Sequence, residues 1–319
     1  MMLGIMVQES LSVFYKNIEM EIIAINGKEH PIPNTLNELD TNQLLRVIET
    51  VFFRNVLEDN FMQMKVDILK AVTGWNDTFF SFWQADAAKA CIQDCPMGCK
   101  EYCKENTLFF AELEPVVNIM DNFFEKVTKE DAPQQTYTLA PLLTLQKMPV
   151  LLVNKVEHHG PSDLLQDLSF DSWIEADLYY MKYMNTGKEA YLNKLFFSLY
   201  KIAPDTNRKL KKLHSKKLSK NQYDKYLNPI VRHAVLLFYM SSRNTLTKHF
   251  KSIFTAPQKG DKDAMNGWYK IKFTVAETGL FGDFDKVGEV KIVDMLSHLH
   301  LKKTQAIEAA NESRIKANS

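Results

Sequence analysis

Apolar and polar positions along the chain repeat with two periods, and the helical one dominates. Residues 19–25 (Glu-Met-Glu-Ile-Ile-Ala-Ile) are β-rich and run into Asn26-Gly27. That dipeptide tolerates the positive φ angles of a tight hairpin turn, so a return strand is expected over Lys28 to Ile32. Pro31 and Pro33 confine that strand to an edge and stop it early. Asp40, three residues before Gln43, reads as a helix start related to the capping box. From there Leu44, Leu45, Ile48, Val51, Phe52 and Val56 recur at helical spacing. A second helix, roughly 60–72, runs up to Thr73-Gly74, with Gly74 as its C′ residue.

Helical patterns return over 76–95 and 99–128. Residues 129–160 change character, with Pro133, Pro141, Pro149 and Gly160-Pro161 among Gln, Thr and Leu. They read as a linker carrying one short extended piece at Val150–Val153. A second lobe opens at Ser169-Phe170, where Trp173, Ala176, Asp177, Tyr180 and Met184 mark a helix that stops near Gly187. Helices follow over 188–202, ended by Pro204, and over 229–250. A helix over 267–278 stops at Gly279, and the last one begins near 289 and frays from Ala309 onward. The expected fold is therefore mainly α: two helical lobes with a small N-terminal β-hairpin. The segments are 1–35 for the hairpin, 36–128 for the first lobe, 129–160 for the linker, 161–308 for the second lobe and 309–319 for the tail.

Composition changes this picture little. The chain has 319 residues, with 39 Lys+Arg balancing 39 Asp+Glu, so there is no global charge to attract nucleic acid. Gly and Pro number only 11 each, too few for a turn-rich β-protein. The opening Met1–Val7 lacks the basic lead and small-residue cleavage site of a signal peptide. The longest apolar run, Ala234–Met240, is far short of the roughly 20 residues that cross a bilayer. A cytoplasmic location is expected, with no membrane partner.

One constellation carries chemistry. Cys91, Cys95, Cys99 and Cys103 form a C-x3-C-x3-C-x3-C array. Four thiolates can close a structural zinc site. On one straight helix the outer two would stand about 18 Å apart, too far for one ion. Pro96 and Gly98 offer a break that folds the two halves together. Disulfides, an iron–sulfur cluster, or bare thiols lining one helix face are the alternatives. The expected cofactor is thus none, or one structural zinc. Of the known phosphate-loop, dinucleotide, hydrolase and zinc-protease signatures, none occurs, and no catalytic residue is assigned.

Other residues have a plain reading beside a functional one. His158-His159 could be metal ligands or a base, and read more simply as solvated loop histidines. Asp171, Glu175 and Asp177 could form a carboxylate site, or complement the positive end of a helix. The run 208–220 places Arg208, Lys209, Lys211, Lys212, Lys216, Lys217 and Lys220 together with no acid. It is a candidate partner-binding face, although it holds no aromatic to stack a base.

Three sets of residues carry a resemblance. They are Ile25-Asn26-Gly27-Lys28-Glu29-His30-Pro31-Ile32-Pro33 with Leu36–Leu39, then Gly160–Leu165 with Leu168–Phe170, Ala176–Tyr180, Leu192–Leu195 and Leu199-Tyr200, and finally Gly267–Tyr269 with Ala276–Asp283. Together they resemble phage and prophage proteins related to tail-assembly chaperones. The resemblance implies a mostly helical, non-enzymatic protein that binds other particle proteins, a tape-measure protein among them, through apolar helical surfaces. The alternative is a zinc-stapled module that touches nucleic acid or an acidic protein through 208–220.

Overall fold

The computed structural model of the protein describes residues 20–25, 28–52, 54, 56–76, 115–127, 135–203, 227–254 and 264–318. It is mainly α, with a hairpin near the N-terminus and two small three-stranded sheets. The described residues fall into two compact units, one up to Leu142 and the other from Leu143 on.

In the first unit, β1 (Glu21–Ile25) and β2 (Lys28–Ile32) pair antiparallel, with Ile25 opposite Lys28 as a two-residue turn requires. Helix α1 (Thr41–Phe52) starts as its sequence predicts. The Gln43 backbone N–H donates to Asp40 Oδ1 at 2.8 Å, and the Asp40 N–H donates to Gln43 Oε1 at 2.9 Å. Two orphan amides are thereby satisfied reciprocally. Leu44, Val47, Ile48 and Val51 form its buried face, against α2 (Phe61–Thr73) with Met64, Ile68, Leu69 and Val72. Gly74 closes α2 in the left-handed region at φ 73°, its N–H donating to the Lys70 carbonyl. Lys65 is buried in α2 and donates to Asn118 Oδ1 at 2.7 Å, with Asp121 at 3.0 Å.

The strands β3 (Val56–Leu57), β4 (Phe124–Val127) and β5 (Thr136–Leu139) form an antiparallel sheet in the order β3-β5-β4. Phe61 stacks on Tyr137 over this sheet at 3.8 Å. The end of the helix expected over 99–128 is thus a strand. Phe124 and Val127 find partners in Leu139 and Thr136, which local periodicity does not reveal.

The second unit begins with β6 (Val150–Val153) and β7 (Val156–His159), joined by a turn with Asn154 and Lys155 at positive φ. The stretch read as a linker therefore holds β5, β6 and β7, and the extended piece at Val150–Val153 is β6. Helix α3 (Phe170–Thr186) is capped by the Ser169 hydroxyl, which accepts from the Ser172 N–H, and ends on Gly187 at φ 63°. Phe170, Trp173, Ile174, Ala176, Asp177 and Tyr180 are its buried face, while Met184 is exposed. Helix α4 (Glu189–Leu199) stops earlier than Pro204 suggests, because β8 (Lys201–Ile202) pairs with β7. Helix α5 (Pro229–His249) has Pro229 in its first turn and Asn228 as its cap.

After α6 (Ala264–Glu277) comes a short helix that periodicity does not predict, α7 (Phe284–Glu289), and then the expected last helix, α8 (Ile292–Asn318). Backbone bonds from Phe170 N–H to the Val290 carbonyl, and from Ile292 N–H to the Leu168 carbonyl, hold 290–292 extended between them. The tail expected to fray at Ala309 is helical to Asn318. Ala306, Ala309, Ala310 and Ala317, with Glu308, Glu312 and Arg314, are strong helix formers.

Gly160 marks a close approach in this unit. A Cβ there would stand 2.7 Å from two ring atoms of Tyr200, a fully buried side chain whose hydroxyl donates to the Met148 carbonyl at 2.9 Å. Gly160→Ala is expected to destabilise the fold by about 1–3 kcal/mol, since the ring has no room to yield. Urea denaturation measures this, and an unchanged midpoint would contradict the tight packing.

Candidate functional site

The most elaborate polar site of the second unit grows from one carboxylate on an apolar helix face. Asp177 follows Trp173 by one turn of α3 and is only 4% exposed. Burying an unpaired carboxylate costs several kcal/mol, so the fold must supply donors. Two come from α5: Arg243 donates through Nε to Oδ1 at 2.5 Å, and Tyr239 donates its hydroxyl to Oδ1 at 3.3 Å. The third comes from α6, where Trp268 Nε1 donates to Oδ2 at 3.2 Å. The carboxylate thereby ties three helices together.

Aromatic rings enclose this centre. Trp268 meets Phe170, Trp173 and Phe254 edge-on, and Arg243 lies 5.3 Å from the Tyr180 ring centre. Burial, then the Asp177 charge, pushes the Tyr239 hydroxyl well above its ordinary titration range. Burial opposes the Arg243 charge, yet Asp177 holds that guanidinium above its ordinary value. The site keeps a fixed ion pair and a neutral phenol. That arrangement secures helices, and its donors are spent on Asp177.

A second tie lies on the same helices. Lys272, one turn after Trp268, is 2% exposed and donates to Asp171 Oδ1 at 2.7 Å. Its Nζ also stands 3.9 Å from the centre of the Phe284 ring. Trp268, Lys272 and Val275 thus turn inward from α6. The flank about 100° round the helix from these positions is different in kind, with Phe273 meeting the Phe284 ring at 4.9 Å and otherwise open to solvent. Tyr269 is 40% exposed, Phe273 60%, and Leu280, in the turn after α6, 61%. Tyr269 and Phe273 are one helical turn apart, so they share the outer face.

The residues singled out in the sequence are distributed unevenly. Cys91, Cys95, Cys99 and Cys103 lie outside the described residues, as do Arg208, Lys209, Lys211, Lys212, Lys216, Lys217 and Lys220. Among the described residues, no group of three or more His, Cys, Asp or Glu side chains is arranged to hold a metal ion. His158 and His159 are not loop residues. They sit in β7, where strand alternation buries His158 near the Phe196 and Phe197 rings and exposes His159. Asp171 does lie in the first turn of α3, Glu175 is exposed, and Asp177 is the carboxylate that the fold buries. In the first unit, an open groove of about 560 Å³ between α1 and α2 is lined by Arg46, Glu49, Arg54, Asp67 and Lys70. Both signs of charge line it, and Arg54 is already paired with Asp67.

Sequence reading placed Asp177 among candidate acids and missed Arg243 and Trp268 as its partners. The available signal was a carboxylate set between Trp173 and Tyr180 on an otherwise apolar stripe. No family model matches the chain, and no curated protein or solved structure does so either. Among the described residues, no helix is long and apolar enough to cross a membrane.

Two predictions follow from these ties. Asp177→Leu leaves Arg243 without its counter-ion and is expected to cost about 3–5 kcal/mol by chemical denaturation. Adding Arg243→Met should recover part of that loss, and equal destabilisation in the double variant would contradict the pairing. His233, His249 and His298 are each held below their ordinary value of 6.5, chiefly by burial. The folded chain therefore favours their neutral forms, and this stability is complete above pH 6.5 and lost as pH falls through it. The urea midpoint should stay level from pH 8 to 7 and decline below 6.5, and a midpoint that rises there would contradict the burial.

Proposed function

We propose that this chain is a non-enzymatic binding protein that presents apolar helix faces to other macromolecules. The observation that carries the reading is the two-sided character of α6. Its inner side is fixed by the Trp268–Asp177 and Lys272–Asp171 bonds, while Tyr269 and Phe273 point outward with Leu280 beyond them. Large aromatic side chains held outward on an anchored helix are what a partner helix or groove recognises at spacings of three, four and seven. They also lose little conformational freedom when covered, since the helix is already fixed.

The sequence resemblance supplies the class of partner. It points to structural proteins of a phage tail or tail-like particle, with a tape-measure protein as the foremost client. A protein that shields such a client must offer exposed apolar surface while staying folded. The inward ties supply the second requirement and the outer face the first. On this reading the chain works in the host cytoplasm or in the particle. The cysteine array, where it binds zinc, would act as a structural clip.

The test is to co-express the chain with the tail proteins encoded beside its gene and to measure co-purification. Tyr269→Glu with Phe273→Glu should cost no more than about 1.5 kcal/mol of folding stability, because both side chains are largely exposed and the loss is chiefly that of the Phe273–Phe284 ring contact. The same variant should lower recovery of the tail protein at least tenfold. Equal recovery with the variant and the natural chain would contradict the reading.

A further inference from the structure

The first turns of α8 are secured by apolar burial, with Ile292, Val293, Met295 and Leu296 all 5% exposed or less. The next turns are secured in another way. His298 stands edge-on to Phe281 at 5.2 Å. His300 lies edge-on to the buried Phe250 at 6.2 Å, and its Nδ1 is 2.6 Å from the Ser252 hydroxyl. Lys303 donates to the Ser252 carbonyl. His249 meets the same Phe250 ring at 4.6 Å from the α5 side. From residue 305 to 315 every position of α8 is exposed. Three of the chain's 8 histidines therefore gather where α8 leaves the body of the unit.

We propose that this junction is an acid-sensitive latch: protonation of His249 and His298, packed against Phe250 and Phe281, adds positive charge beside Lys302 and Lys303 and releases α8 from residue 297 onward, while its first turns stay packed.

The charge environment supports a release in this direction. At the end of α5 stand Lys248, His249 and Lys251. On α8 are Asp294, His298, His300, Lys302 and Lys303, and Glu277 and Asp283 flank the turn that carries Phe281. Asp294 and Asp283 are exposed, and Asp283 already caps α7 by accepting from the Lys286 N–H. His249 is held below its ordinary value by burial and then by His300, and His298 by burial and then by Lys302. Docking thus favours the neutral rings, and acid favours release. Once undocked, the exposed part of α8 has little beyond its own propensity to keep it helical, and a lone helix of that length is marginal in water.

Hydrogen exchange of the full chain at pH 7.5 and pH 5.5, corrected for intrinsic rates, tests the latch. Amides 297–304 are expected to lose at least tenfold in protection at pH 5.5, and at least threefold more than α3 and α4 lose. His233 contacts Tyr183 of α3, so a general acid effect through that residue would appear there instead. The variant His249→Gln/His298→Gln should reduce the α8 loss to below threefold. If that variant does not fold, His298→Gln alone should at least halve the logarithm of the loss. Equal protection at the two pH values, a parallel loss across the whole unit, or a natural-sized loss in the variants would overturn the proposal.

Discussion

A single buried carboxylate organises the larger unit. Asp177 sits on the apolar face of α3, and that position is tolerable only because α5 and α6 bring three donors to it. The requirement runs both ways. Without Asp177, Arg243 would be a cation in an aromatic enclosure and Trp268 would lose the acceptor of its indole N–H. The mutual need sets where α6 lies against α3, and so which side of α6 is left outward. The apolar outer face is thus a consequence of the polar inner one.

That coupling explains how a chain can expose Phe273 and Tyr269 and stay ordered. A helix held by burial of one stripe would gain by turning its aromatics inward. Here the inward positions are occupied by Trp268 and Lys272, each bound to a specific acid of α3. Rotating α6 would break both bonds and bury Lys272 away from Asp171. Polar ties of this sort add little net stability and much specificity of arrangement. The end of α5 and the turns of α8 show the opposite case. The contacts there use His249 and His298, whose charge follows the solution as much as the fold.

Local signals in the sequence were read directly wherever the cause was itself local. Asp40 and Gln43 bind each other's backbone within one turn, Gly74 and Gly187 adopt the positive φ that ends a helix, and the hairpin pairs Ile25 with Lys28. The elements that sequence reading misplaced depend on distant partners. Tyr200 and the start of β8 leave the helical path because Met148 and β7 wait more than forty residues earlier in the chain. The break between α7 and α8 exists because 290–292 pairs with 168–170. The site was half legible for the same reason. Asp177 stood out as an acid on an apolar stripe, but Arg243 and Trp268 lie 66 and 91 residues away in sequence. Periodicity carries no information about which of the chain's cations and indoles will meet it. His158 lies in a short strand with one buried side, which resembles a loop in sequence when Gly160-Pro161 follows it.

The account stands on the claim that the outer face of α6 is where another polypeptide is received. The most direct measurement is a hydrogen-exchange footprint of the chain alone and in complex with a tail protein that it co-purifies with. The account predicts that new protection falls on residues 264–284, with α3 and α5 unchanged. Protection confined to α3, α4 or α5, with 264–284 exchanging as in the free chain, would contradict it.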